Sequence, residues 1–374
     1  LAKLTSSEKG EPLRIVVIEP RTEYEDDRTW CFWESQNDAG DSLVKHRWNT
    51  WSFSTNAKRH RQSSSRWAYS MVSGEDFYQD AQEAIAKAKG IELQLGTRVL
   101  GVESTEGGIE VTTSSGSLLA SRVVDTRPPR YGPEDRLPLY QVFAGAVLET
   151  EEPLGDSSVA GLMEHMRTDE LGFCFDYVLP LEENQWLFEV TRFCPENEPL
   201  SRLESDLEES LASLLPAGKF RVLRQEAGMI PMGHVIRRET HDPRWVVAGT
   251  GGGAVRAASG YAYRRIQKWS RRCARAFYET GTVIDHPHDS RIRRGMDALF
   301  LDVLLANPER TPELFYRLAR RTRTDTLARF MMDEAGTFDL LSVILSLPPP
   351  PFLKQIYQNY IGKTSRESIP REAI

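Results

Sequence analysis

The run Gly249-Thr250-Gly251-Gly252-Gly253-Ala254, continuing through Val255-Arg256-Ala257-Ala258-Ser259-Gly260-Tyr261, constrains the fold more than any other part of the chain. The apolar stretch Trp245-Val246-Val247-Ala248 leads straight into it. A periodic segment follows, with Ala262, Ile266, Trp269, Cys273, Ala276 and Phe277 spaced as one helix face. Strand, glycine loop and helix start together form a place where backbone N–H groups can face an anion, because glycine permits positive φ and close approach. The competing reading is a surface turn. The strong patterning on both sides favours a cofactor site.

A second element belongs with it. Leu13-Arg14-Ile15-Val16-Val17-Ile18 has the near-continuous apolar character of a strand buried on both faces of a parallel sheet, and it ends in Glu19-Pro20-Arg21. In dinucleotide folds an acidic residue at the tip of the second strand accepts hydrogen bonds from a ribose, about 20 residues after a glycine fingerprint. No such fingerprint lies upstream. Leu1 to Leu4 reads as the tail of a helix and Thr5 to Glu11 as a polar loop, so a first strand, glycine turn and most of a helix are expected before Leu1. Without that turn, Glu19 also reads as an ordinary strand-end carboxylate.

Between these landmarks the pattern alternates. Ser73-Gly74-Glu75-Asp76 is a capping box opening a helix with Phe77, Ala81, Ala84, Ile85 and Ala88 on one face, stopped by Gly90. Residues 91–95, 97–103 and 109–113 read as strands with a hairpin at Gly107-Gly108, and 122–125 as a short strand. From Leu139 to Val235 the chain is strand-like with one helix, Leu200 to Leu215. Helices follow at 296–305, 311–319, 327–332 and 338–347, and Pro348-Pro349-Pro350-Pro351 separates the last from a polar tail. A 374-residue chain is long for one core. The net charge of −7 argues against a nucleic-acid partner. Cys31, Cys174, Cys194 and Cys273 are scattered, which fits a reducing cytoplasm and no metal site, and His286-Pro287-His288 reads as a loop. No apolar run reaches the ~18 residues that span a bilayer.

Several segments occur in an order that carries a resemblance: Asp26 to Trp33, Gly74 to Tyr78, Val124 to Pro129, Gly172 to Leu181, Phe188 to Phe193, Gly228 to Gly233, and the glycine loop. This series resembles bacterial lycopene cyclases, flavoproteins related in fold to flavin hydroxylases. The resemblance implies an α/β fold: a Rossmann-type FAD-binding domain lacking its first strand and glycine turn, an inserted β-sheet substrate domain and a C-terminal helical region. The FAD domain would comprise 1–40, 76–135 and 238–285, the substrate sheet 41–75 and 136–237, and the helical region 286–374. It places Glu19, Arg28, Thr29, Val99, Asp125, Gly249, Gly251, Gly252, Gly253 and Ala254 at the cofactor, reduced FAD with NADPH as reductant. The implied substrate is a linear polyene or polyprenyl chain, cyclised without net redox change.

Protonating an alkene needs a carboxylic acid kept neutral in an apolar place. In Trp186-Leu187-Phe188-Glu189-Val190-Thr191-Arg192-Phe193, alternation sets Leu187, Glu189, Thr191 and Phe193 on one face and Trp186, Phe188 and Val190 on the other. Read alone, Glu189 is either such an acid or a strand carboxylate paired with Arg192 or facing water. The resemblance makes it the catalytic glutamate, with Glu164 and His165 as additional acid–base candidates. The chain departs from the family pattern at Gln141 to Val147 and at Met163-Glu164-His165. There, Ala146 replaces a customary tryptophan and would widen the substrate cavity. A flavin monooxygenase, an isoprenoid reductase and a carotenoid carrier are the other readings. Because such a substrate dissolves in bilayers, Leu345, Leu347, Phe352, Leu353, Ile356 and Tyr357, with Lys354 and Lys363, are candidates for peripheral contact with the inner face of the membrane.

Overall fold

The computed structural model describes residues 13–36, 42–128, 137, 139–195, 200–214, 219–234 and 240–367. In chain order, β1 (Ile15–Ile18), β2 (Thr29–Ser35), β3 (His46–Trp48), β4 (Thr50–Thr55), β5 (Arg59–Ser63) and β6 (Trp67–Ser73) precede α1 (Gly74–Lys87). Next come β7 (Ile91–Gln94), β8 (Val99–Thr105), β9 (Gly108–Thr113), β10 (Gly116–Ala120) and β11 (Val123–Asp125). The long strands β12 (Leu139–Thr150), β13 (Val159–Asp169), β14 (Gly172–Glu182) and β15 (Gln185–Cys194) lead to α2 (Leu200–Leu214). Then follow β16 (Phe220–Met232), β17 (Trp245–Val247), α3 (Tyr263–Thr280), α4 (Arg291–Ala306), α5 (Thr311–Arg321), α6 (Thr324–Met331), α7 (Thr337–Ser346) and α8 (Pro349–Glu367).

Period-two alternation in β12, β14 and β15 gives the large sheet two apolar faces. The sheet has seven strands in the order β16-β12-β15-β14-β13-β4-β5. On one face Val142, Ala144, Ala146, Leu148, Phe188 and Val190 pack under Leu203, Leu207 and Leu211, one stripe of α2. On the other, Phe173, Phe175, Leu179, Leu187 and Phe193 meet Phe32, Trp33 and Tyr69 of a second sheet, β2-β6-β3, together with side chains of α4 and α5. The chain between 41 and 75, expected to join the substrate sheet as a whole, therefore divides: β4 and β5 enter the large sheet, whereas β3 and β6 pair with β2.

The nucleotide-type elements form two parallel pairs, β1 with β7 and β11 with β17. Of the predicted capping box the N-cap half is present, Ser73 Oγ accepting from the Asp76 N–H at 3.2 Å, whereas the Asp76 carboxylate accepts from the Ser73 hydroxyl rather than from its N–H. Gly90 lies at φ +84°, where a Cβ would stand 2.2 Å from the Leu13 carbonyl oxygen. The expectation that Leu13 to Ile18 is buried on both faces is not met: Val17 is 37 % exposed, and β7 is the one partner of β1 among the described residues. Leu1 to Leu4 and the loop after them lie outside the described residues.

The helices predicted after residue 73 are all present among the described residues. The proline run, however, does not end the helical region but opens α8, since the first helical turn has no N–H that needs an intrahelical acceptor. A buried ion network ties these helices to the glycine segment. Arg256, 2 % exposed, reaches Asp297 of α4 at 3.3 Å and Asp333 at 3.4 Å, and its guanidinium lies 4.3 Å from the centre of the Phe330 ring. Arg265 of α3 joins Asp289 at 2.7 Å and Asp333 at 3.2 Å. Arg256→Met strands Asp297, itself 3 % exposed, and should lower the unfolding free energy by about 3–5 kcal/mol in urea titration; a loss below 1 kcal/mol would show the network to be dispensable.

Candidate active site

Four residues stand in one register row on the face of the large sheet turned toward β2 and β6. Tyr177 of β14 pairs with Glu189 of β15, Glu189 with Gly145 of β12, and Gly145 with Glu226 of β16. Gly145 leaves the gap that lets the two glutamates converge: a Cβ there would sit 2.4 Å from Glu189 Cγ and 3.1 Å from the Phe188 carbonyl oxygen. Glu226 is 7 % exposed, and its Oε2 accepts from Thr29 Oγ1 at 2.9 Å and Arg224 Nη1 at 2.5 Å. Arg224 also donates to Thr29 Oγ1 at 2.8 Å and pairs with Asp26 at 3.1 Å.

Glu189 lies deep among protein atoms yet keeps part of its surface open. Burial is the main cause that pushes its carboxyl well above the usual range, and the charge and hydrogen bond of Glu226 push the same way against the weaker pull of Arg224. Burial and the neighbouring carboxyl group thus both favour the protonated form of Glu189. Arg192 is no partner of Glu189: it points to the other face and binds Asp169 at 2.6 Å and Asp206 at 2.9 Å.

A line of phenols connects this row to the glycine segment. Tyr261 and Tyr69 hydroxyls are 3.2 Å apart, and those of Tyr69 and Tyr177 are 2.5 Å apart. Cys31 of β2 is within hydrogen-bond reach of Tyr177 and Tyr69. Burial raises the thiol and all three phenols, so each is a neutral group. Trp33 closes on the cluster, its ring centre 4.7 Å from that of Tyr69 and 5.5 Å from that of Tyr261. These side chains make an aromatic interior around the two carboxyl groups of the row.

The glycine loop differs from expectation in one respect. The N–H groups of Gly252, Gly253 and Ala254 close onto loop carbonyls, and that of Gly249 donates to His286 Nε2 at 3.1 Å. These amides hold the turn rather than face an anion, and α3 begins only at Tyr263. Glycine is needed for the turn itself. Gly249 and Gly253 have φ of +65° and +79°, and a Cβ on Gly252 would lie 2.4 Å from the Val247 carbonyl oxygen. The segment also approaches the large sheet, with the Cβ position of Gly260 only 3.1 Å from Ile230 and 3.3 Å from Gln141 Oε1.

Glu19 stands at the tip of β1, where Arg21 donates its N–H and Nε–H to Oε1 and Nη2–H to Oε2. Burial raises its carboxyl, but these bonds outweigh it and hold Glu19 ionised. A carboxylate offers about four acceptor sites, so Oε2 retains capacity for a sugar hydroxyl, and the residue fits a ribose of FAD. Asp125, at the tip of β11, is bound likewise by Arg127 through its N–H, Nε and Nη2. Arg28 pairs with Asp27 at 2.7 Å. Val99 opens β8, two residues beyond Thr97, whose N–H bonds the Glu19 carbonyl. Thr29 joins Glu226 and Arg224 rather than the glycine segment.

Glu164 and His165 are not brought to Glu189. Glu164 pairs with Asp176, and Asp176 with Val190, so all three lie on the face shared with α2. Glu164 accepts from Ser52 and Ser54 hydroxyls and from Arg59 at 2.9 Å. His165 Nδ1 lies 3.0 Å from Asp176 Oδ2. A cavity of about 440 Å³ opens there, with Glu164 and His165 on one side and Trp186 and Phe188 on the other. Ala146 faces that side too, opposite Phe188, so it does not widen the space around Glu189.

Glu226, Arg224, Cys31, Tyr69, Tyr177 and His286 were not singled out by sequence. Alternation along Arg224-Gln225-Glu226 pointed two of them to one face, and His286, read as loop, is 3 % exposed and stacked on Trp269 at 4.5 Å.

Residues 1–356 match the family model described as Lycopene cyclase protein. No curated protein sequence matches the chain. Among solved structures, a geranylgeranyl bacteriochlorophyll reductase-like protein from Thermoplasma acidophilum superposes with TM-score 0.58 at 11 % identity, covering 91 % of this chain and 92 % of the other. A single-substitution variant of HpxO from Klebsiella pneumoniae, complexed with FAD, gives 0.53 at 14 % identity, covering 90 % and 99 %. The p-nitrophenol 4-monooxygenase PnpA of Pseudomonas putida DLL-E4 gives 0.51 at 14 %, covering 91 % and 92 %. The fold is that of these mixed α/β proteins.

The hydrogen bond to Asp176 outweighs burial and raises the His165 imidazole above its ordinary 6.5. The stability it lends is present below the ordinary value and lost as pH rises through the folded one. Its ring-proton NMR midpoint should lie above 6.5 and fall toward it in Asp176→Asn; an unchanged midpoint would discard this pairing.

Proposed function

This chain belongs to the lycopene cyclase protein family, and on that footing we propose that it closes β-type rings at the ends of a linear carotenoid, with Glu189 as the proton donor. The observation that carries the reading is a carboxyl group set deep among aromatic side chains, where burial pushes it well above its usual range. The Glu189 O–H bond breaks as a C–H bond forms at the terminal alkene. The tertiary cation left on the polyene is captured by the neighbouring alkene, which makes the ring carbon–carbon bond. A ring proton then leaves to the Glu189 carboxylate, and the acid is restored with no electrons gained or lost. Aromatic faces such as Trp33, Tyr69 and Tyr261 favour the cation through their ring quadrupoles, and the closed interior keeps water from intercepting it.

FAD is the cofactor we propose, held by Glu19 at its ribose and by the Gly249 to Ala254 turn, with NADPH as reductant. A bound reduced flavin supplies negative charge near the developing cation. Glu19→Ala should release FAD, read by flavin absorbance after gel filtration, while leaving the circular dichroism melt unchanged. Full FAD retention would remove Glu19 from the cofactor site.

Among the described residues no helix is long and apolar enough to cross a membrane. Phe338, Leu341, Ile344, Leu345, Leu353, Ile356 and Tyr357 of α7 and α8 are nevertheless exposed. We assign this patch to contact with the bilayer that carries the substrate. Phe352, expected in the same patch, packs on Phe300 at 6.4 Å, and the side chain of Lys363 lies outside the described residues.

Glu189→Gln preserves shape but has no transferable proton. Ring formation should fall roughly 10²–10⁴-fold with FAD content and melting temperature unchanged, and Glu189→Asp should retain more activity than Gln. Near wild-type cyclisation by the Gln variant would overturn the assignment. The product mass tests the reaction class: an isomer of the substrate is expected, whereas two added hydrogens or one added oxygen would mean a reductase or a monooxygenase.

A further inference from the structure

The row that holds Glu189 contains a second buried carboxyl group, on Glu226, to which neither the sequence nor the proposed cycle gives a part. We propose that Glu189 and Glu226 form an acid–carboxylate pair that shares one proton over the gap at Gly145, and that Glu226 is the positioning residue that keeps the proton on Glu189. The positioning role rests on the reading of Glu189 as the acid; the shared proton does not.

The groups around the pair decide which member is ionised. From β16 and β2, Arg224 and Thr29 both donate to Oε2 of Glu226, at 2.5 and 2.9 Å. Asp26 faces the same guanidinium at 3.1 Å. Around Glu189 stand Tyr177 of β14 and Cys31 of β2, with Tyr69 of β6 and Tyr261 behind them, all neutral donors with no positive charge. The cation and the Thr29 hydroxyl thus both converge on Oε2 of Glu226, leaving its Oε1 to accept the Glu189 O–H. Two ionised carboxylates side by side would repel, so the second is disfavoured in the resting protein and forms only as a cation develops on substrate to balance it.

The geometry requires glycine in the middle strand. Any side chain at 145 would occupy the space where Glu189 bends toward β16, as the 2.4 Å approach to its Cγ records. Counted together, Asp26, Glu226 and Arg224 carry one net negative formal charge at the end of the row, Asp26 being partly exposed. That charge belongs to the resting protein, so it is in place before a cation develops on substrate. When Glu189 gives up its proton, its neighbour's charge raises its affinity for a proton again, which returns the ring proton to the same oxygen atoms.

Infrared titration of the purified protein without substrate tests the pair directly. The difference between wild type and Glu189→Gln at pH 7 should contain the C=O stretch of a single protonated carboxyl. In Glu226→Gln the pH at which this band disappears should fall by about one unit or more, and Glu226→Asp, which keeps the charge, should restore most of the wild-type midpoint. Gly145→Ala separates the carboxyls without altering any charge and should also lower the midpoint. Folding of each variant is checked by its melting temperature. If no band distinguishes wild type from Glu189→Gln, or if the midpoint is unmoved by Glu226→Gln, the pair is wrong whatever the reaction proves to be. The alkaline limb of the kcat–pH profile should move with the infrared midpoint. A shifted midpoint with an unshifted limb would retain the pair but reject its positioning role, and a product that is not an isomer would reject the cyclase reading alone.

Discussion

Burying one carboxyl group in the middle of a sheet covered on both faces constrains the rest of this molecule. An antiparallel sheet with one wet face could leave Glu189 to water, but here α2 closes one side and β2, β6 and the C-terminal helices close the other. Transfer of a carboxylate into such a place costs several kcal/mol unless a counter-charge comes with it. The nearest cation, Arg224, already serves Glu226 and Asp26. Glu189 is left beside neutral phenol and thiol groups and the carboxyl group of Glu226, none of which favours its ionised form.

The contrast with Glu164 shows that burial alone does not make an acid. Glu164, at 4 % exposure, is as buried as most core side chains, yet it accepts from two serine hydroxyls and from Arg59. Those donors occupy both of its oxygen atoms, on the face of the sheet turned away from Glu189. His165 is likewise committed to Asp176, which Arg167 also binds at 2.8 Å. Two acidic clusters on opposite faces of one sheet thus differ in the sign and number of the groups around them.

Local pattern made part of this legible. Alternation in Trp186 to Phe193 placed Glu189 on its correct face, the capping box fixed the start of α1, and the glycine run marked a turn between β17 and α3. Information that resides in pairing was out of reach. Gly145 and Glu226 lie 44 and 37 residues from Glu189 in sequence and meet it only through the β15-β12-β16 register. The orientation of Ala146 followed from the same register, since a shift of one residue exchanges the two faces. The glycine loop departs from expectation for a related reason: its composition allowed N–H groups to face an anion, but their destination depended on turn geometry and on His286, distant in sequence. The proline run was read as a stop because prolines end helices from within, whereas at the first turn they begin them.

The phenol line gives the site a further physical property. Tyr261 lies at the end of the glycine segment and Tyr177 lies beside Glu189, and Tyr69 hydrogen-bonds both. Tyr69 is 2 % exposed, so it has little freedom to break those bonds without leaving a buried hydroxyl unpaired. Arg256 fixes the other side of the same segment to α4 and to Asp333. The loop at which we place the cofactor is therefore held between two rigid attachments, one leading to the acid and one to the helical cover. A displacement of the loop would have to disturb the hydroxyl line on one side or the ion network on the other. Rigid attachment of this kind is what an electrostatic mechanism requires, because dipoles and charges help a short-lived cation only if they are already aligned when it forms.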